Sequence, residues 1–225
     1  MAYPKAVIVD DIDPKEYGEY RYLLKFKKAN LSVKTHPKKV LIAIGVNPST
    51  ADENKPDQTV STLLRIWQDN PYTDFVMLNL YPKRSTNPHE LPLDGENDDI
   101  ICTEIEHNCQ IIDGVFSEFS GCSIDFLLAF GNLIEIRKYL QDSFDEIIKT
   151  LKKYPQITYK AIALTKKGHP CHPLAAWRCK GSYQFKKYDS KKKNSEQERN
   201  YKVHKFSELK DIKDVEKIQE LYIKL

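Results

Sequence analysis

The chain has 225 residues, 40% hydrophobic and 30% charged, with two Trp, thirteen Tyr and nine Phe. That is enough apolar material for one core in an undivided α/β domain, and no run approaches the roughly 20 apolar residues of a membrane-crossing helix. The formal charge of +3 hides a local asymmetry: Lys186 to Lys205 holds eight Lys or Arg against three acids, or +5, leaving the remainder at −2. Such a stretch is either a phosphate-contacting patch or a solvated loop.

In chain order, the amino-terminal MAYPKAVIVDDIDPKEYGEY places acids close behind a short apolar run, which does not read as a signal peptide. Residues 5–10 and 20–27 read as short strands, either added to a sheet or walling a cleft. A basic loop over 28–39 leads into VLIAIG (Val40 to Gly45), an unbroken apolar run ended by Gly and Pro. That pattern predicts a strand buried on both faces of a parallel sheet. Val60, Leu63, Leu64 and Trp67 have helical spacing, predicting a helix over Thr59 to Asp69 that ends at Asn70-Pro71. DFVMLNLY (Asp74 to Tyr81) is a second strand. After a loop over Glu90 to Asn97, Ile101, Ile105, Cys109, Ile112 and Phe116 predict a helix with Asn97 as N-cap. SIDFLLAF (Ser123 to Phe130) is the third strand, Leu133 to Leu151 one long amphipathic helix, and TYKAIAL (Thr158 to Leu164) the fourth strand. A closing helix is expected over Val215 to Leu225. The five cysteines (Cys102, Cys109, Cys122, Cys171, Cys179) are odd in number and show no CxxC pair, which argues against a disulfide framework and for a reduced cytoplasm.

Alternating β and α units imply an α/β fold: three αβα layers around a central four-stranded, mostly parallel sheet. One domain over 1–225 is expected, with a core at about 38–180, a basic loop at 181–205 and a carboxyl-terminal helix at 211–225. Each strand ends in a polar or glycine-containing segment: GVNPST, NLYPKR, FGN and LTKKGHPCHPL. Core packing does not require four such segments, and this fold class binds ligands along the edge where they gather. A ligand site is therefore expected at the strand tips, with Asn47 inside it.

Taken together, Asn47 to Asp52 (NPSTAD), Asp57 to Thr59 (DQT) and Gly168 to Leu174 (GHPCHPL) closely resemble the motifs of a bacterial and phage family of uncharacterised proteins. That resemblance covers roughly Tyr20 to Leu174 and carries no activity. More distantly, Gly45-Val46-Asn47-Pro48, Leu78-Asn79, Ala129-Phe130-Gly131-Asn132 and His169-Pro170-Cys171-His172-Pro173-Leu174 resemble the strand-end motifs of the uracil-DNA glycosylase superfamily. The last carries one inserted residue.

This second resemblance implies hydrolysis of an N-glycosidic bond, which needs a positioned water, donors to the departing base anion and exclusion of bulk water. By it, Asn47 orients the water. Many superfamily members carry Asp there, so Asp52 or Asp57 is the candidate for the missing carboxylate, Asp57 serving equally well as a helix N-cap. Asn79 would read an extruded base, or else satisfy loop backbone at a strand end. Tyr81, Val46 and Pro48 would line the base pocket. His172 or His169 would donate to the leaving base, and Leu174 would fill the gap left by a flipped nucleotide or simply pack. Ser49, Thr50, Lys83, Arg84, Lys166, Lys167 and His169 would contact DNA. The expected substrate is a modified or damaged base in DNA, and the family's distribution implies a role against phage with altered DNA.

Three rivals come from the residues themselves. His169, Cys171, His172 and Cys179 are possible zinc ligands, though irregularly spaced, and Cys171 between two His is a possible nucleophile. A non-catalytic nucleic-acid-binding module, or a hydrolase of free nucleosides or nucleotides, are the alternatives to the glycosylase. No phosphate-cradling glycine motif is present, so no nucleotide cofactor is expected, nor a metal. The expected state is a cytoplasmic monomer, with DNA as partner and no membrane.

Overall fold

The computed structural model describes residues 2–29, 38–175 and 209–223, with side chains to 220. Among these, seven strands form one sheet: β1 (Val7–Asp13), β2 (Leu23–Lys28), β3 (Lys39–Gly45), β4 (Asp74–Asn79), β5 (Ser123–Leu128), β6 (Ile157–Ala161) and β7 (Lys210–Asp211). The spatial order is β1-β2-β4-β3-β5-β6-β7. The central four, β4-β3-β5-β6, run parallel. The β1–β2 hairpin joins antiparallel on β4, and β7 joins antiparallel on β6. The expected four strands are thus the parallel centre of a larger mixed sheet. The amino-terminal strands extend it because β2 alternates: Leu23 enters one core while Leu24 and Phe26 enter the other. β7, two residues long, carries no periodic signal to read.

The helices are α1 (Gln58–Asp69), α2 (Asp98–Glu118), α3 (Lys138–Leu151) and α4 (Glu216–Ile223). Successive residues of a strand point to opposite faces, and in β3 both sets are apolar. Val40, Ile42 and Ile44 meet α2 and α3 through Ile112, Phe116, Phe144 and Ile147. Leu41 and Ala43 meet α1 through Val60, Leu63, Leu64 and Trp67. Each such side chain, fully buried, stabilises by roughly 1.5–3 kcal/mol. With both faces of the central strands closed this way, chemistry is confined to the sheet edges.

Two helix expectations need correction. The helix expected over Leu133 to Leu151 is a 3-10 helix, Gly131–Ile136, followed by α3, the two parted at Arg137 with extended φ −144° and ψ 139°. Arg137 spends its guanidinium on the carbonyls of His89, Leu91 and Pro92 at 2.8, 2.9 and 2.7 Å. The Asp94 carboxylate then accepts from the Lys138 N–H at 2.8 and 3.0 Å, so the loop over 88–94 starts α3 afresh. Asn97 does hold the expected N-cap position of α2, but its side chain makes no cap hydrogen bond; it lies in the left-handed region at φ 57°, which Asn tolerates better than most residues.

The strand order reverses between β3 and β5. β3 connects to β4 through α1 on one face, while β5 connects to β6 through α3 on the other. Crossovers of one hand require that swap of faces. The crevice outside the carboxyl ends at such a reversal is where open α/β sheets hold ligands.

Candidate functional site

The four strand-end segments form one continuous edge. Leu80 and Tyr81 donate backbone N–H to the carbonyls of Gly45 and Val46, both at 2.9 Å, and Ser85 donates to Pro48 at 2.9 Å. Ala129 donates to Ile44 at 2.9 Å, Gly131 to Pro170 at 2.8 Å and Cys171 to Ala163 at 2.7 Å. Gly131 is the tight point. Its φ is +65°, and a Cβ there would stand 3.2 Å from the Cβ and 3.3 Å from the backbone nitrogen of His172. Glycine lets the loop carrying His172 lie against the tip of β5.

Asn47 is half-buried, and its Nδ2 donates to the carbonyls of Pro48 and Ser85, each at 2.9 Å. Both amide hydrogens are spent on loop backbone, leaving the side-chain oxygen to offer to a water. Val46 and Pro48 are buried. Asn79 is 1% exposed. Turned so that its nitrogen faces acceptors, its amide donates to the Asn47 and Leu78 carbonyls at 3.2 Å. Gly45 makes room for it, since a Cβ there would meet the Asn79 amide at 3.2 Å and Met77 at 3.0 Å. Tyr81 is equally buried and packed on the Tyr139 ring at 5.0 Å. In this conformation Asn79 and Tyr81 are interior residues bracing the edge from behind.

Asp57 caps α1, its Oδ1 accepting from the Val60 N–H at 2.8 Å. It also lies within electrostatic range of Arg21, Arg84, His172 and Tyr3. Asp52 instead closes its own loop, accepting from the Asn54 and Lys55 N–H groups at 2.8 and 2.9 Å. The two histidines separate cleanly. His169 is fully buried, with Nε2 2.7 Å from Glu135, which also pairs with Lys167. Burial opposes ionisation of Glu135, yet the bonds from Lys167 and His169 prevail and hold its pKa down. His172 is half-buried, and its Nδ1 accepts from the Leu174 N–H at 3.3 Å, which puts the ring proton of the neutral form on Nε2. Burial pushes its pKa below the ordinary value, against the opposing pull of Asp57.

Of the expected phosphate contacts, Thr50 and Lys166 are exposed and Ser49 is half-buried, as is Leu174, the expected wedge. Lys83 stands 3.8 Å from Glu19. Arg84 does not point outward: its Nη1 donates to the Ser49 and Ala51 carbonyls at 2.9 and 2.8 Å, and Tyr17 stacks on its guanidinium at 4.2 Å. Beside it lies Arg21, which nothing in the motifs singles out. It is 1% exposed and donates to the Ala51 carbonyl at 3.1 Å. Burial, then the like charge of Arg84, brings its pKa down to about 10. The available signal was an Arg two residues ahead of the apolar pair Leu23-Leu24 that opens β2.

Among the described residues no group of three or more His, Cys, Asp or Glu is placed to hold a metal. Cys102, Cys109 and Cys122 are free thiols. Cys171 is disulfide-bonded, which departs from the reduced state expected of the cysteines and leaves that sulfur no free thiolate. Cys179 and the basic stretch Lys186 to Lys205 also lie outside the described residues. None of the described helices is long and apolar enough to cross a membrane. Residues 21–174 match the model of a family described as a protein of unknown function (DUF1643). No curated protein and no solved structure matches the chain.

Proposed function

We propose that this chain, which belongs to the DUF1643 family, hydrolyses the N-glycosidic bond of a modified or damaged base drawn out of DNA. One observation carries the reading. Asp57 and His172, borne by the loops after β3 and β6, come within electrostatic range of each other at the edge where the strand order reverses. The uracil-DNA-glycosylase-like layout is supported by the four matching motifs, which follow the strands β3, β4, β5 and β6 in the order that resemblance requires. Cytoplasmic DNA is the substrate this reading implies.

The roles follow from the bonds each group has left. A water, its hydrogen accepted by the Asn47 side-chain oxygen, attacks the sugar carbon and yields a proton to the Asp57 carboxylate. The carbon–nitrogen bond breaks and its electron pair leaves with the base, which accepts a hydrogen bond from the Nε2–H of neutral His172. With Asn79 and Tyr81 buried, base selection rests on groups at the rim of the crevice. The test presents oligonucleotides carrying a panel of altered bases and assays released base by mass spectrometry and abasic sites by alkaline cleavage. DNA bound without any abasic product means a non-catalytic binding module. Release from nucleosides, with binding insensitive to salt, means an enzyme of free nucleosides.

A further inference from the structure

Arg21 and Arg84 are more positive charge than their surroundings answer. Together they carry ten N–H donors, and their acceptors are two backbone carbonyls, those of Ser49 and Ala51. The Nε of each is buried without a hydrogen-bond partner. No carboxylate among the described residues lies within 4.0 Å of either guanidinium; Asp57 and Asp52 act on them only from farther away. Burial and then the neighbouring Arg84 guanidinium lower the pKa of Arg21, and burial lowers that of Arg84. Buried charges with unmade hydrogen bonds are costly, and folded chains retain them chiefly where something else completes the set.

We propose that Arg21 and Arg84 form a phosphate site beneath the NPSTAD loop, which receives a phosphate of the nucleotide presented to the crevice. The chemistry selects the ligand class. Paired guanidinium forks match the oxygens of a tetrahedral dianion or diester, and a buried fork holds them with charge-assisted bonds. Access is from the Arg84 side, where the guanidinium is half-buried under the exposed ring of Tyr17, which is 60% exposed. The proposal rests on the nucleotide reading above, but its test needs no turnover: a failed glycosylase assay leaves phosphate affinity untouched, and lost phosphate affinity says nothing about bond cleavage.

The measurement is calorimetric titration of the full chain with inorganic phosphate and with a deoxynucleoside 5′-monophosphate, followed by fluorescence anisotropy of a single-stranded oligonucleotide over a salt series. Arg84→Gln and Arg84→Lys are compared with the parent, and circular dichroism with a urea midpoint confirms that each is folded. Arg84 is chosen because it is half-buried, and Lys keeps the charge while losing the fork. Expected are phosphate binding by the parent and weakening of at least about tenfold in both variants. If the phosphate comes from the polymer, the logarithmic salt slope also falls by about 0.7 in Arg84→Gln; if it comes from a free monoester, the slope holds and only monophosphate affinity falls. A parent that binds neither phosphate nor oligonucleotide, or folded variants that bind both as the parent does, would reduce the pair to a clamp on loop carbonyls and overturn the proposal.

Discussion

Gly131→Ala is the perturbation that the site's geometry makes most specific. At φ +65° an alanine enters the left-handed region, which costs roughly 1–2 kcal/mol for a residue with a Cβ. The new methyl would stand 3.2 and 3.3 Å from the Cβ and backbone nitrogen of His172. Overpacking against backbone that cannot rotate away adds about 1–2 kcal/mol. The expected loss is therefore about 2–4 kcal/mol, read as ΔG from urea unfolding with the slope checked for constancy. Gly121→Ala is the internal control, because a Cβ there meets nothing within 4 Å. Equal stabilities for the two variants, within about 0.5 kcal/mol, would refute the close approach of the His172 loop to the β5 tip.

Gly114 sits exposed in the interior of α2 with open space for a Cβ; Gly114→Ala should stabilise by about 0.5–1 kcal/mol in the same urea assay, through lower unfolded-state entropy. Asn108 is fully buried and its Nδ2 donates to the Asn79 carbonyl at 2.9 Å, so Asn108→Ala should cost about 1–3 kcal/mol by leaving that acceptor unmet, visible as a lower urea midpoint at constant slope. His172 has a depressed folded-state pKa. As pH falls below the unfolded-state value of about 6.5, the unfolded chain binds the proton first and stability declines. Urea midpoints at pH 7.5 and 5.5 should thus differ more in the parent than in His172→Gln.

The parallel centre was legible because its signal is redundant. Four apolar runs, each flanked by helical periodicity, leave little choice of fold class, and β3 with residues buried on both faces is what such a run requires. What escaped the sequence depends on contacts distant along the chain. The break at Arg137 is dictated by carbonyls over 40 residues earlier, and helical spacing continues straight through it. The burial of Asn79 and Tyr81 cannot be told from an exposed strand tip, because a polar side chain at a strand end fits either setting. Arg21 escaped for the opposite reason: a charged residue in a strand reads as solvent-facing, and only the fold brings it beside Arg84 under the 49–52 loop. The Asp57 cap was open to both readings, and the side chain makes the cap with one oxygen while it stays within electrostatic reach of His172.

The most direct test of the central claim is the single-turnover rate of base release from modified-base DNA, in the parent and in Asp57→Asn and His172→Gln. A measurable rate is expected in the parent and a fall of at least about 100-fold in each variant, in line with loss of a positioned general base or of an oxyanion-type donor, with DNA affinity within a few-fold of the parent. Base release that survives both substitutions, or a parent that binds such DNA and releases no base from any member of the panel, contradicts it.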